Sequence, residues 1–515
     1  SIAESDSFQQ ALSRLRKGKA ATPRSWVYED EDPAKVLQEW LQILTSGTDG
    51  DLEDISDWDC SKQDKFLPQG AVAPFSERQD TLREYWAHLD SSPVFQSSDW
   101  RKAKATAVKL FRFNQSGSPR PVDDVIKKGI SEDKYNTSSG DPLFLKRKSP
   151  DAIQQARTAV LDGTWNQYYP VLGSRASMGK INENARWIFM FPMSVNLEEQ
   201  RFQQPLQDYI RDKRVPFFTP WDGYDAVQTK LSESESSDLK FGCDYSKMDQ
   251  HFNFFHAKEC FDVIKHYFMP QYWDELFESI HYTFHCSVVA PDYLIEGPHA
   301  MPSGSGWTNF LETVFNFILV QYMRIHYGLA IRDSSMGIGD DQIWFIQFHG
   351  NVTKLTRLIV STFKECGLDA NPEKQEVSYD LISFLQRRSW DNWQPHGVKY
   401  AGVYPTVRAL TSEIYPEFYH NEEEWTKNTF ALRCLMILEN CVYHPKFEEF
   451  CIFIAKGNQN IPEFCLCDDA HILLTKHQSK KIANFLPTYN QAKMDEDPTK
   501  FESLRIIREH FGKAA

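Results

Sequence analysis

The sequence predicts an α+β fold divided into several lobes, with an antiparallel sheet flanked by helices. Three observations lead there. The chain has 515 residues, more than one hydrophobic core serves. Two strand-like runs, at 239–243 and 336–348, are rich in β-branched and aromatic residues. Helical periodicity surrounds them, in the apolar run from Trp307 to about Tyr327 and again from residue 391 onward, for instance at 425–438.

Each element carries polar residues of a particular kind. Residues 336–348 read as strand, tight turn, strand, with Gly339-Asp340-Asp341 at the turn. Glycine tolerates positive φ and aspartate bonds its own backbone, so the pair suits a hairpin tip. Alone, the tripeptide is equally an ordinary acidic turn. Asp244 ends the run Leu239-Lys240-Phe241-Gly242-Cys243, where a carboxylate is rigidly aimed, and the backbone carbonyl of Tyr245 could add an oxygen. Alone, it could be a helix cap or turn residue. The loop Ser303-Gly304-Ser305-Gly306 leads into the helix from Trp307. Hydroxyls and flexible backbone before a helix N-terminus suit a ribose-phosphate; a generic loop with a cap looks the same. That helix is apolar on most faces, as a buried helix is. Glu312, Asn316 and Gln321 interrupt it, and nowhere does the chain reach the ~18 apolar residues of a membrane span.

Taken together and in this order, the three segments point to nucleotidyl transfer. Joining nucleotides is an in-line attack of a 3′-hydroxyl on an α-phosphorus, served by two Mg²⁺ ions about 3.5–4 Å apart. Mg²⁺ takes one or two carboxylates plus waters and substrate phosphates. Asp244, Asp340 and Asp341 are therefore the expected catalytic and metal-binding carboxylates, with the Tyr245 carbonyl as a further ligand.

On these residues the chain resembles viral RNA-dependent RNA polymerases of double-stranded RNA viruses, most of all the picobirnavirus type, with partitivirus polymerases as near relatives. The likeness covers roughly residues 130–420. It implies a right-hand polymerase of fingers, palm and thumb in a closed, cupped form. Residues 1–70 would be an N-terminal extension and 71–238 the fingers, with a contribution from about 252–300. The palm would span 239–390, and the thumb and C-terminal tail 391–515. Asp244 and Asp249 fall in the first palm motif, Ser303 to Thr308 in the second, and Gly339-Asp340-Asp341 in the third. Gly367 to Lys374 resembles the fourth, which makes Lys374 the proposed general acid for pyrophosphate. A solvated surface lysine is the plainer reading. Phe384 to Arg388 resembles the fifth motif, a hairpin supporting the primer strand with Arg387 and Arg388.

Upstream, Arg175, Lys180 and Arg186 resemble the fingers motif that holds the incoming triphosphate, work suited to arginine's planar fork. Residues 136–142 look like the template-guiding motif, with Thr137, Ser138, Ser139 and Gly140, although the bare string is a polar turn. The nucleotide site implied by the resemblance comprises Asp249, Ser303, Gly304, Thr308 and Glu312. A carboxylate at Asp249 can sense a 2′-hydroxyl, which is donor and acceptor at once. Glu312 stands where many positive-strand polymerases have asparagine, and relatives with double-stranded genomes tend to be acidic there; a carboxylate can still accept from a hydroxyl, or orient another group through a hydrogen bond.

The resemblance further implies Mg²⁺ as cofactor with Mn²⁺ substituting, ribonucleoside triphosphates as substrates, and RNA template and product. A viral capsid protein is the expected partner, with no membrane, and the chain is expected to act as a monomer in the host cytoplasm or inside the virion. Primer-independent initiation is expected, with the tail 488–515 as a plug in the product channel.

Composition agrees. The net charge of −14 is unevenly spread: residues 101–188 hold 16 Lys and Arg against 8 Asp and Glu. A basic channel inside an acidic exterior holds RNA by phosphate neutralisation. Aromatic residues make up 14% and allow base stacking. The acidic stretch 49–59 belongs to the expected extension, and 232–238 reads as a polar spacer. Ten cysteines lack disulfide-framework spacing and no leader is read, which suggests a reducing setting, while Ser1 suggests processing or trimming. Cys465 and Cys467 with His471 lack the second cysteine pair of a zinc site. Two alternatives remain in view. One is another palm enzyme: a nucleotidyl cyclase would lack the fingers motif and the serine-glycine loop, and a reverse transcriptase would place a bulky aromatic where Asp249 stands. A catalytically dead RNA-binding protein would have lost its acids.

Overall fold

The computed structural model describes residues 5–48, 50–176 and 185–512. They divide into two compact units, one built from the chain up to Arg16, Phe75–Gly173 and Trp187–Leu385, the other from Lys17–Pro74, Ser174–Arg186 and the chain from Gln386.

The first unit is centred on a four-stranded sheet in the spatial order Met336–Ile338, Asp341–Ile346, Leu239–Cys243, Glu376–Ser378, all neighbours antiparallel. Leu239, Phe241 and Cys243 point into one core while Lys240 and Gly242 face the other way, the two-residue period of a strand. Lys240 is fully buried, and its ammonium donates to the carbonyls of Ser236 (2.8 Å) and Tyr379 (2.5 Å). The expected spacer 232–238 also ends in structure. Asp238 is 1% exposed and accepts a two-pronged contact from Arg332 at 2.8 and 3.1 Å.

Across the sheet's core face runs the helix Trp307–Tyr327, as the apolar run predicts. Trp307, Leu311, Val314, Phe315, Ile318, Leu319 and Met323 are at 0% exposure. At roughly 1.5–3 kcal/mol per buried apolar side chain, this stripe contributes on the order of 10–20 kcal/mol before conformational entropy is subtracted. The helix is thus a rigid platform. It packs closely on the helix Ser98–Phe111, where Ala103 and Ala107 let the backbones approach. No helix among the described residues is long and apolar enough to cross a membrane.

The second unit is helical. Its core joins Val36, Leu37, Trp40 and Leu44 of the helix Pro33–Thr45 to the helices Thr406–Ile414, Lys427–Glu439 and Phe447–Lys456. The N-terminal segment expected as an extension therefore splits, and most of it is built into the C-terminal helical core. Its apolar stripe explains why, since Val36, Leu37, Trp40 and Leu44 repeat at helical spacing. Part of the expected plug is packed in the same unit. Residues 502–512 form the helix Glu502–Gly512, whose Leu504, Ile506 and Ile507 are buried in this same core. A tail with an apolar face is held by the core it completes.

Candidate functional site

The sheet register brings the aspartates together. Cys243 pairs with Gln342, so Asp244 and Asp341 follow at the same end of two bonded strands. Directly opposed residues have Cβ atoms about 4.5–5.5 Å apart. Asp340 occupies the turn beside them, with Gly339 at φ +59°, a conformation glycine adopts without cost. Crowding shows in the titration of Asp341. Burial first, then the Asp340 charge, pushes its carboxyl up to about 7, with Asp244 adding to the effect, although Leu385 N–H donates to it at 3.1 Å. Asp244 is likewise raised by burial, with the Lys374 ammonium opposing and Glu376 assisting.

Residues that the motifs do not announce hold this tip. Thr313 Oγ1 accepts from Gly339 N–H at 2.8 Å, and Asn316 Nδ2 donates to the Gly339 carbonyl at 2.9 Å. Asn316 Oδ1 accepts from the buried Tyr245 hydroxyl at 2.7 Å. The turn is thereby clamped by the rigid helix. Gln375 does the same for Asp244, accepting from its N–H and donating to its carbonyl, both at 2.8 Å. Ser246 N–H donates to the Asp369 carbonyl at 2.8 Å, which docks the 369–375 loop and sets exposed Lys374 close enough to act on Asp244. Only the polarity of Asn316 inside an apolar run was a signal in the sequence.

The serine-glycine loop lies beside Asp249, whose carboxylate accepts from Ser303 Oγ. Gly304 has φ +119°, and a Cβ there would meet the Phe189 carbonyl oxygen at 2.2 Å, so only glycine fits. Thr308 Oγ1 donates to the Pro302 carbonyl at 3.2 Å. Glu312 faces inward. It is 3% exposed and turned toward Asp249, and burial together with the Asp249 charge holds its carboxyl well above the usual range. Its burial beside Asp249 suits a part in orienting that carboxylate rather than in meeting a sugar hydroxyl itself.

The other expected residues lie elsewhere. In the second unit Arg175 is ion-paired with Glu417 at 3.5 Å and donates to Thr488 Oγ1. Arg186 is exposed at the start of the strand Arg186–Met190. Lys180 lies outside the described residues. Arg387 lies over the Tyr404 ring and Arg388 over the Trp58 ring, at 5.7 and 5.5 Å. Just before them, Leu385 and Gln386 both have φ above 50°, as a type I′ turn requires. In the first unit Thr137 and Ser138 are exposed, while Ser139 and Gly140 are buried.

Among the described residues no three or more His, Cys, Asp or Glu side chains form a ready metal cage. Mg²⁺ does not demand one, because waters and substrate phosphates complete its shell. Burial first, and then the neighbouring carboxylates, lift Asp341 to about 7, and a carboxyl so placed suits cationic neutralisation, so the residues fit a divalent ion.

The comparisons agree with this geometry. The family model described as viral RNA-dependent RNA polymerase matches residues 175–399. A potential RNA-dependent RNA polymerase of Human picobirnavirus (strain Human/Thailand/Hy005102/-) is 26% identical over 465 residues, covering 87% of this chain and 84% of the relative. The RNA-directed RNA polymerase of Cryptosporidium parvum virus 1 (strain KSU-1) is 25% identical over 259 residues, 47% of this chain and 46% of that one. The crystal structure of the RNA-dependent RNA polymerase of a human picobirnavirus superposes with a TM-score of 0.80 at 22% identity, covering 98% of this chain and 97% of that one. Its insertion-loop deletion mutant gives 0.76 over the same shares, also at 22% identity. Residues 175–399 thus match the family model for viral RNA-dependent RNA polymerases, within a chain that has the right-hand fold of a picobirnavirus polymerase.

Proposed function

We propose that the chain synthesises RNA from ribonucleoside triphosphates on an RNA template, by two-metal-ion nucleotidyl transfer and without a primer, for a virus with a double-stranded RNA genome. One observation carries the reading: Asp244, Asp340 and Asp341 stand at one end of two bonded strands, close enough for each to act on the ionisation of Asp341. When bound between them, Mg²⁺ or Mn²⁺ would lower the pKa of the attacking hydroxyl and neutralise the leaving oxygen. Asp244 and Asp340, both exposed, are the ligands of choice, with Asp341 and the Tyr245 carbonyl behind them.

The chain's own groups supply the rest. The Thr313 and Asn316 clamp keeps the Asp340 carboxylate in place without reorganisation at the moment of reaction. Lys374, next to Asp244, is placed to give a proton to departing pyrophosphate. Asp249, fixed by Ser303 and backed by Glu312, accepts from the ribose 2′-hydroxyl and so prefers ribonucleotides. Ten free thiols, eight of them buried, support work in a reducing compartment, the host cytoplasm or the virion interior, as a monomer beside capsid protein.

The test is RNA-templated incorporation without primer, with Mg²⁺ or Mn²⁺, using ribonucleotides and deoxyribonucleotides in parallel. Asp340→Ala should lower turnover by roughly 10³-fold or more, several kcal/mol of lost charge stabilisation, and leave RNA affinity within about twofold. Equal use of deoxyribonucleotides, or an active Asp340→Ala variant, would overturn the reading.

A further inference from the structure

Two loops that the polymerase reading needs are joined by side chains of the helix Met193–Asp212. At one end is the loop 136–141. Arg147 donates from Nε to the Ser138 carbonyl at 3.1 Å, and from Nη2 to the Phe191 carbonyl at 3.3 Å and to Asn196 Oδ1 at 2.8 Å. Asn196 passes the contact on, its Nδ2 donating to Glu199 Oε1 at 2.7 Å. Glu199 ends the chain at the serine-glycine loop, where its carboxylate accepts from Ser305 Oγ and, at 3.1 Å, from Gly306 N–H.

The arrangement is unusual in where it is spent. Glu199 is at 0% exposure, and burying a carboxylate is costly unless hydrogen bonds and opposite charge compensate. A fold needing only a capped helix would place serine, threonine or aspartate at the N-cap. Here the N-cap of Trp307–Tyr327 is Gly306, with no side chain; Ser305 Oγ accepts from Trp307 N–H at 3.1 Å, and a residue 107 positions from Gly306 accepts from both that hydroxyl and the Gly306 N–H. Asn196 is one relay between the Arg147 guanidinium and this carboxylate, and the oxygen and nitrogen of its one amide are each committed to one of them.

We propose that Glu199 and Asn196 are positioning residues that couple template engagement at Ser138–Gly140 to nucleotide binding at the Ser303–Gly306 loop. The proposal rests on the polymerase reading. A template that shifts the 138 carbonyl moves Arg147, and through Asn196 and Glu199 sets the hydroxyl of Ser305 and the backbone of Gly306. Such coupling is reciprocal: RNA tightens nucleotide binding by the factor with which nucleotide tightens RNA binding. A second connection runs through backbone, from Phe189 N–H to the Ser303 carbonyl and from Met193 N–H to the Ser139 carbonyl, both at 2.8 Å. The test must therefore cut the side-chain route alone.

Asn196→Ala cuts both of its contacts, and Asn196→Asp keeps the Arg147 contact while setting a second carboxylate against Glu199. Asn196 is only partly buried, so the fold should survive either change, with thermal melting as the check. The measurement is the affinity of the full chain, in Mg²⁺, for a labelled cytidine oligoribonucleotide, with and without a non-hydrolysable CTP analogue. Cytidine does not pair with CTP, which removes base pairing as the link. We expect about fivefold coupling or more in the wild type, a size common for linked sites, and less than twofold in both variants. In turnover, Asn196→Ala should raise KM for nucleotide severalfold with kcat little changed. If both ligands bind the wild type without coupling, or coupling survives in both variants, the proposal is overturned and the polymerase reading stands. If the wild type binds neither ligand, both fall.

Discussion

Asp59 in the second unit and Asp341 in the first are both enclosed aspartates, and their surroundings differ in kind. Asp59, at 0% exposure, accepts from Thr406 N–H (3.0 Å), Thr406 Oγ1 (2.5 Å), Val407 N–H (2.9 Å) and His444 Nε2 (2.8 Å). His444 Nδ1 accepts from Lys446 N–H, which puts the ring proton on the side facing Asp59. The Thr406 hydroxyl in turn accepts from Trp40 Nε1 at 2.8 Å. Asp341 has the Leu385 N–H from a neighbouring loop, the Gln342 N–H next to it in sequence, and two aspartates beside it. A carboxylate whose lone pairs are filled by donors ties segments together. One crowded by its own kind stores electrostatic repulsion that a bound cation relieves.

This contrast can be broken at either end. The largest expected effect is on stability at Asp59. Asp59→Ala removes two donor-satisfying contacts at the start of the helix Thr406–Ile414 and leaves Thr406 and His444 buried without their acceptor. It should cost about 3 kcal/mol, against roughly 1–2 for Asp59→Asn, read from denaturant midpoints. Equal midpoints for wild type and Asp59→Ala would mean that the network holds nothing.

At the other end the prediction is a pH dependence. The Asp341 carboxyl is raised from an ordinary value near 3.8 to about 7. Between those pH values the folded chain keeps a proton that the unfolded chain has lost. The group therefore favours the fold at low pH, and that contribution fades as pH rises through 7. A cation must displace the same proton. The apparent affinity for Mg²⁺ alone should improve about tenfold from pH 6 to pH 8, as the ionised fraction rises. Asp341→Asn should flatten that profile. A flat profile in the wild type would show that Asp341 is not crowded.

The smallest effect sharpens the comparison. Thr313→Val removes the acceptor for Gly339 N–H but leaves every carboxylate present. We expect kcat to fall about tenfold, roughly 1.4 kcal/mol, with KM for nucleotide nearly unchanged and Thr313→Ser restoring most of the rate. A change in KM alone would place Thr313 in substrate binding instead.

Some of this was legible before any coordinates. The hairpin around Gly339, the strand Leu239–Cys243 and the buried helix Trp307–Tyr327 each follow from a local pattern, alternation, glycine at a turn, or an apolar run. Local patterns also offered Asp244, Asp340 and Asp341 as a set, because short motifs keep chemistry and backbone together. They left unread the contact of Arg175 with Glu417, 242 residues away, and the apolar face of the tail, which is spread over a helix turn at a time.

By itself the sequence determined which residue types could do chemistry and in what order the chain presents them. Tertiary structure alone decided what holds them: Thr313 and Asn316 on the Gly339 turn, Gln375 on Asp244, Glu199 on the serine-glycine loop, and Glu312 turned in upon Asp249. The reason is physical. Periodicity and turn chemistry act over a few residues and leave a mark in the string, whereas a hydrogen bond between residues 131 positions apart, such as Gln375 to Asp244, exists only once two elements pack.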